Sequence, residues 1–243
     1  MLALRKEGLM DKRVYTYHFK NKDDGDLTYE VAVDAETFQL VYEDDKGLPS
    51  WTKLEYEQCA HCPLIADKHP SCPVAKSLHK LISTFESTKS IEVCEVVVEV
   101  PERVYSKNTD IQTGLGSLFG LIMASSACPS LGFLRPMARF HLPFASMEET
   151  IFRSVGNILI EFYLDGDISK DRVNETLKNR YAEVNSVNQY LIKRIDHLIK
   201  SKDAGDADQN AIVVLDTLAV LLTMELGSNM QTLKDIYREV SAV

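Results

Sequence analysis

Three of the chain's five cysteines fall in one short run, QCAHCPLIADKHPSCPVA, residues 58–75. Cys59 and Cys62 form a C-x-x-C pair, a spacing that lets two thiolates reach one metal from a single turn of chain. Cys72 follows ten positions on, and Cys128 lies far down the chain in SSACPSLG. Cys62, Cys72 and Cys128 are each followed by proline, which lacks an N–H and stiffens the backbone just beyond the thiol. Four thiolates can complete a tetrahedral zinc site or bind an iron–sulfur cluster. Three close cysteines and one remote one fit the iron–sulfur form, which is the favoured assignment. Zinc is the alternative, because His61 or His69 can replace a thiolate. Free thiols or a redox pair come third, since Pro63 follows the C-x-x-C and the strand–turn–helix setting of a thioredoxin-like pair is missing. Cys94 stands apart, in step with Val96, Val98 and Val100 within IEVCEVVVEV (91–100). It reads as a small buried hydrophobe.

A second run, LGFLRPMARFHLPFAS (131–146), sets Arg135, Arg139 and His141 in apolar surroundings. Buried guanidinium groups must be paired, and Glu148, Glu149 and Glu161 are the expected partners. Two functional readings stand beside that one. The three residues could take a phosphate or carboxylate as a ligand-binding or substrate site, or the arginines could offset the negative charge of a thiolate-bound cluster. Other motifs carry less. Gly114, Gly116 and Gly120 depart from the dinucleotide fingerprint and point to close helix packing. DGDISKDRVNET (165–176) has Lys170 and Thr176 where a calcium loop needs glycine and glutamate, so Ser169 reads as a helix cap. His79 reads as a surface or interface histidine, and Trp51 as packing between the sheet and the cysteine segment.

The elements that must position these residues follow from periodicity. VYTYHFK (14–20), LTYEVAVD (27–34) and TFQLVYE (37–43) predict an antiparallel meander with a turn at NKDDGD. Helical spacing follows over 73–87, with Pro73 in the first turn, and strand character returns at 91–100. Beyond that the pattern is helical: 109–127, then 146–164 opening on a Ser146/Glu149 capping box, a long amphipathic helix over 169–200, and helices near 208–226 and 229–241. SKDAGDADQN (201–210) reads as a loop. The fold class is α+β, with an N-terminal antiparallel sheet module holding the cysteine segment (1–107) and a helical region (108–243).

The chain has 243 residues, is 45% hydrophobic and 26% charged, and carries a formal net charge of −9. That balance provides apolar residues for a sizeable core and argues against a nucleic-acid partner. The opening MLALRKEGLMDKR lacks a long apolar run, and no stretch is apolar enough to span a bilayer. No secretory signal and no membrane partner are expected, and the localisation expected is cytoplasmic.

The motifs QC-x-x-CPL, HPSCPVA, YSK-x-T (105–109) and LRPMARFHLPFAS-x-EET together resemble an uncharacterised bacterial family known only as a domain of unknown function. The similarity covers roughly residues 12–165, and LRPMARFHLPFA is its most distinctive run. The resemblance implies a bacterial cytosolic protein and supplies no mechanism. The function expected from the residues themselves is a metal centre on Cys59, Cys62, Cys72 and Cys128 with a redox or metal sensing role, non-catalytic and open to an unidentified protein partner. A structural zinc in a scaffold protein is the alternative, and an enzyme using Arg135, Arg139 and His141 on an anionic substrate is third.

Overall fold

The computed structural model describes residues 11–21, 25–41, 47–85, 91–166 and 168–199, and much of 210–241. Four strands form one antiparallel sheet: β1 (Lys12–Asn21), β2 (Gly25–Asp34), β3 (Val93–Val100) and β4 (Arg103–Asp110), in the order β2-β1-β3-β4. The architecture is α+β. The predicted NKDDGD turn falls largely outside the described residues, and the register pairs Asn21 with Gly25 across it.

Side chains alternate across a strand, and here alternation sorts the two faces cleanly. Tyr15, Tyr17 and Phe19 of β1 are buried beside Val31 and Val33 of β2 and Cys94, Val96 and Val98 of β3. The outer face is polar, with Lys20 3.2 Å from Glu95 and His18 3.6 Å from Glu99.

The sheet differs from the expected meander in two places. Within the described part of 37–43, residues 37–41, the chain forms a short bridge to β2 and no strand; 42 and 43 lie outside the described residues. Asp34 Oδ1 accepts from the Glu36 and Thr37 N–H groups at 3.1 and 2.7 Å, and Phe38 adopts φ 56°. This local capping by an aspartate competes with a ladder, and beyond it Leu40 bridges to Val33 and the Val41 N–H donates to the Ala32 carbonyl at 2.9 Å. β3 takes the other side of β1. The second difference is β4, which sequence periodicity missed because RVYSKNTD has little apolar alternation. It forms because Val100 and Arg103 close a tight reversal that carries the chain straight back along β3.

Helices cover the apolar face. α1 (Pro73–Phe85) buries Val74, Leu78, Leu81, Ile82 and Phe85. α2 (Ile111–Ser125) is capped by Asp110, which accepts from the Thr113 N–H at 2.9 Å. α2 lies so close to the sheet that a Cβ on Gly114 would meet Phe19 at 2.6 Å and Val96 at 3.0 Å. The expected role of glycine in close packing holds at that position.

A 3-10 turn (Pro129–Leu134) and the short α3 (Arg135–Arg139) lead to α4 (Met147–Leu164), whose capping box forms as expected. α5 (Lys170–Ile199) begins with the Val173 N–H on the Ser169 carbonyl at 2.9 Å. The described residues of 210–224 are helical, and α6 (Gln231–Ser241) follows. The predicted loop at 201–210 lies almost wholly outside the described residues. One cluster of buried residues runs from Tyr15 and Val96 in the sheet through Leu115 and Ile158 to Leu191 in α5.

Candidate metal centre

The cysteine segment is a loop closed at its neck. The Leu54 N–H donates to the Pro70 carbonyl at 3.0 Å and the Cys72 N–H to the Thr52 carbonyl at 2.8 Å. Inside the loop the Cys62 N–H donates to the Cys59 carbonyl at 3.0 Å, so the C-x-x-C closes one turn. Gln58 Nε2 donates to the Leu64 carbonyl at 3.0 Å and braces that turn. Cys72 sits where the loop enters α1, its carbonyl accepting from the Lys76 N–H at 2.9 Å. Cys128 stands at the start of the Pro129–Leu134 turn, its carbonyl accepting from the Leu131 N–H at 3.2 Å. All five cysteines are free thiols.

Two of these thiols, Cys59 and Cys128, have other cysteines of the group as neighbours. Burial pushes the Cys59 thiol up to about 11, and the charges of Cys72 and then Cys62 push the same way. Burial pushes Cys128 up to about 12, reinforced by Cys72 and Cys59, while the Ser130 and Leu131 N–H groups pull it down. Cys94 belongs elsewhere: burial raises its thiol to about 11, and its charged neighbours are Asp110 and Glu92. The thiols are neighbours without being closed on a common point. Among the described residues, no group of three or more His, Cys, Asp or Glu is arranged so that it could hold a metal ion as it stands.

The donor chemistry fits a thiophilic metal, because free thiols are soft ligands and Cys59, Cys62 and Cys72 are only half-buried. His61 also fits: its Nε2 is buried with no hydrogen-bond partner. His69, the other histidine expected to substitute, is exposed on its turn.

Positive charge reaches the site from a residue that sequence reasoning missed. Arg194 of α5 is 2% exposed and its charge lowers the Cys59 thiol. Its guanidinium donates to the carbonyls of Trp51, Lys53 and Leu54 at 2.8, 2.7 and 3.0 Å. The signal was present in the sequence. Val187, Leu191, Arg194 and Ile195 share one helical face, so an arginine occupies the apolar stripe.

The second candidate trio separates. Arg135 Nη2 reaches the Ser126 carbonyl at 3.4 Å, and its Nε is buried without a partner. Arg139 is exposed and donates to the Ala35 carbonyl at 3.0 Å. The expected pairing with Glu148, Glu149 or Glu161 does not form. Glu149 serves the capping box, and Glu161 holds Arg180 through two bonds of 2.6 and 2.7 Å. Backbone carbonyls, which sequence cannot point to, take the place of carboxylates. His141 lies inside, hydrogen-bonded through Nε2 to the Tyr17 hydroxyl. Burial, aided by the nearby Arg153 charge, depresses its imidazole to about 3.

The fold and site define an α+β protein with helices on one face of a four-stranded antiparallel sheet and a thiol cluster where the looped segment meets α1 and the Cys128 turn. The sequence profile of the family described as Domain of unknown function (DUF6901) matches residues 14–242, and the chain belongs to that family. The match extends through the acidic helices beyond residue 165, further than the motifs alone had indicated. No curated protein and no solved structure matches the chain. Among the described residues no single helix is long and apolar enough to cross a membrane. The pair Ile111–Ser125 and Pro129–Arg139 has the composition for it but is bent by 115°, and α2 is largely buried in the core.

Proposed function

We propose that Cys59, Cys62, Cys72 and Cys128 are the ligands of a metal centre, an iron–sulfur cluster in the favoured form, and that the protein senses redox state or metal supply through it. The observation that carries this reading is the placement of Cys59 and Cys62 on one closed turn and Cys72 at the loop neck, with Cys128 near enough for Cys72 and Cys59 to act on its thiol and Cys94 outside the group. The buried Arg194 charge beside Cys59 supports it, since thiolate ligation accumulates negative charge that a low-dielectric site must balance. A bound iron–sulfur cluster would supply one-electron redox chemistry. The chain's own contribution is to hold the C-x-x-C turn inside a loop whose neck carries Cys72 and, once ligated, to tie it through Cys128 to the turn that leads into α3.

A second reading, structural zinc in a scaffold protein, is favoured by the unpartnered His61 Nε2. Anaerobic purification followed by iron, acid-labile sulfide and zinc assays tests both. The cluster reading expects visible absorbance with iron and sulfide in matched amounts. Colourless protein with one zinc per chain would replace it with the scaffold reading. Protein that takes up neither metal nor sulfide would remove both.

A further inference from the structure

A cavity of about 400 Å³ lies among α2, α3, α4, α5 and the helical residues near Leu215 and Ala219. Its size falls within the usual range for small-molecule sites, about 300–1,000 Å³. Most of the wall is hydrocarbon, including Leu121, Met123, Leu134, Met137, Phe144 and Leu215. The cavity is partly open to solvent, so its hydrocarbon wall favours an occupant that shields it from water.

The polar groups that interrupt the wall have a consistent character. Lys107 and Arg153 line the cavity, and among the described residues no aspartate or glutamate does. Arg153 spends Nη2 on the Met137 and Phe140 carbonyls at 2.7 and 2.9 Å, and no carboxylate pairs with it among the described residues. His141 is neutral there and adds no negative charge. Asn188 also lines the cavity, is 1% exposed, and has no hydrogen-bond partner at either Nδ2 or Oδ1. The Asp216 carboxyl, whose Oδ1 accepts from Asn185 Nδ2 at 2.8 Å, is near enough for the Asn188 amide to act on it without closing a hydrogen bond. A buried amide with neither half satisfied is expensive, and a polar group entering the cavity would satisfy it.

We propose that this cavity binds a small aliphatic carboxylate bearing a second polar group at the far end of its chain. Arg153 takes the carboxylate, with Lys107 adding positive potential. The hydrocarbon lies along the apolar wall, and Asn188 takes the far polar group. The site shares no residue with the cysteine cluster and does not depend on the metal reading.

Calorimetric titration of the full chain with 10-hydroxydecanoate, decanoate and 1-decanol tests it. Binding is expected in that order of affinity, with the uncharged alcohol at least ten-fold weaker than decanoate. Asn188→Leu should remove the advantage of the hydroxy acid while leaving the thermal midpoint of ligand-free protein unchanged or raised, because an unsatisfied amide has been replaced by an apolar group of similar size. Gly120→Leu should block the cavity, since a Cβ at Gly120 meets only Leu215 at 3.8 Å and the added side chain enters the void. Absence of binding to all three compounds, equal affinity for decanoate and decanol, or undiminished binding to Gly120→Leu would each overturn the proposal. Metal content, unchanged in both variants, keeps this outcome separate from that of the cysteine reading.

Discussion

Arg194 Nη1 stands 2.8 Å from the carbonyl oxygen of Trp51, 143 residues earlier in the chain. With the bonds to Lys53 and Leu54, this places one fully buried cation over the neck of the cysteine loop. Replacement by methionine keeps most of the apolar stem but strands three carbonyls. Arg194→Met is therefore expected to lose about 3 kcal/mol in urea unfolding. Arg194→Lys should recover part of that, since an ammonium reaches fewer of the three acceptors than the planar fork does. Equal stability of wild type and the methionine variant would show that the clamp contributes nothing.

Cys94 is 4% exposed and sits in β3 opposite Thr109. Cys94→Ala should leave metal content unchanged and cost ~1 kcal/mol from lost packing. Loss of stoichiometric metal in that variant would move Cys94 into the ligand set and displace one of the other four.

Cys128→Ser tests whether the centre links two regions or holds the whole fold. The helices have buried apolar faces of their own, whereas the loop from Leu54 to Pro70 is fixed mainly by its neck. The variant should lose the metal yet keep most of its helical circular dichroism. Hydrogen exchange should rise across 58–75 and 126–141 and much less across 173–199. Cooperative unfolding of the entire chain would leave only a structural role for the metal.

His141 gives the protein a defined response to acid. Its folded-state value, about 3, lies below the unfolded value of 6.5, so the unfolded chain binds the extra proton first. The stability this neutral imidazole contributes is complete above pH 6.5 and declines as pH falls toward 3, at up to roughly 1.4 kcal/mol per pH unit. The groups facing it are Tyr17, which is itself held neutral by burial, and Arg153, whose charge opposes protonation. His141→Gln should flatten the dependence of unfolding free energy on pH within that window. An unchanged slope would assign the acid sensitivity to the carboxylates.

Gly114 marks the closest approach of α2 to the sheet. Gly114→Ala would push a methyl against Phe19 and Val96, an overpacking expected to cost about 1–3 kcal/mol. Gly156→Ala, at a helical position where the added Cβ meets nothing within 4 Å, is the control and should be neutral or stabilising. Equal behaviour of the two variants would mean that the helix simply shifts away.

The sequence by itself determined the parts governed by local chemistry. Helical spacing and end signals located α1, α2, α4 and α5 closely, because signals such as Pro73 and the Ser146/Glu149 box act within one turn. The C-x-x-C turn and the buried character of Cys94 were legible for the same reason. Tertiary structure decided whatever depended on distant partners. Residues 37–43 have strand composition, yet Asp34 turns the chain there, and β4 has little strand pattern, yet it pairs because β3 returns it. Arg135 and Arg139 looked like ion-pair partners and found backbone carbonyls instead. The sequence reasoning passed over Arg194 and Asn188, because a polar residue within an apolar helical stripe names no partner. A buried polar side chain announces that something must satisfy it, but which distant carbonyl, loop neck or cavity meets it is set only when non-local segments pack together.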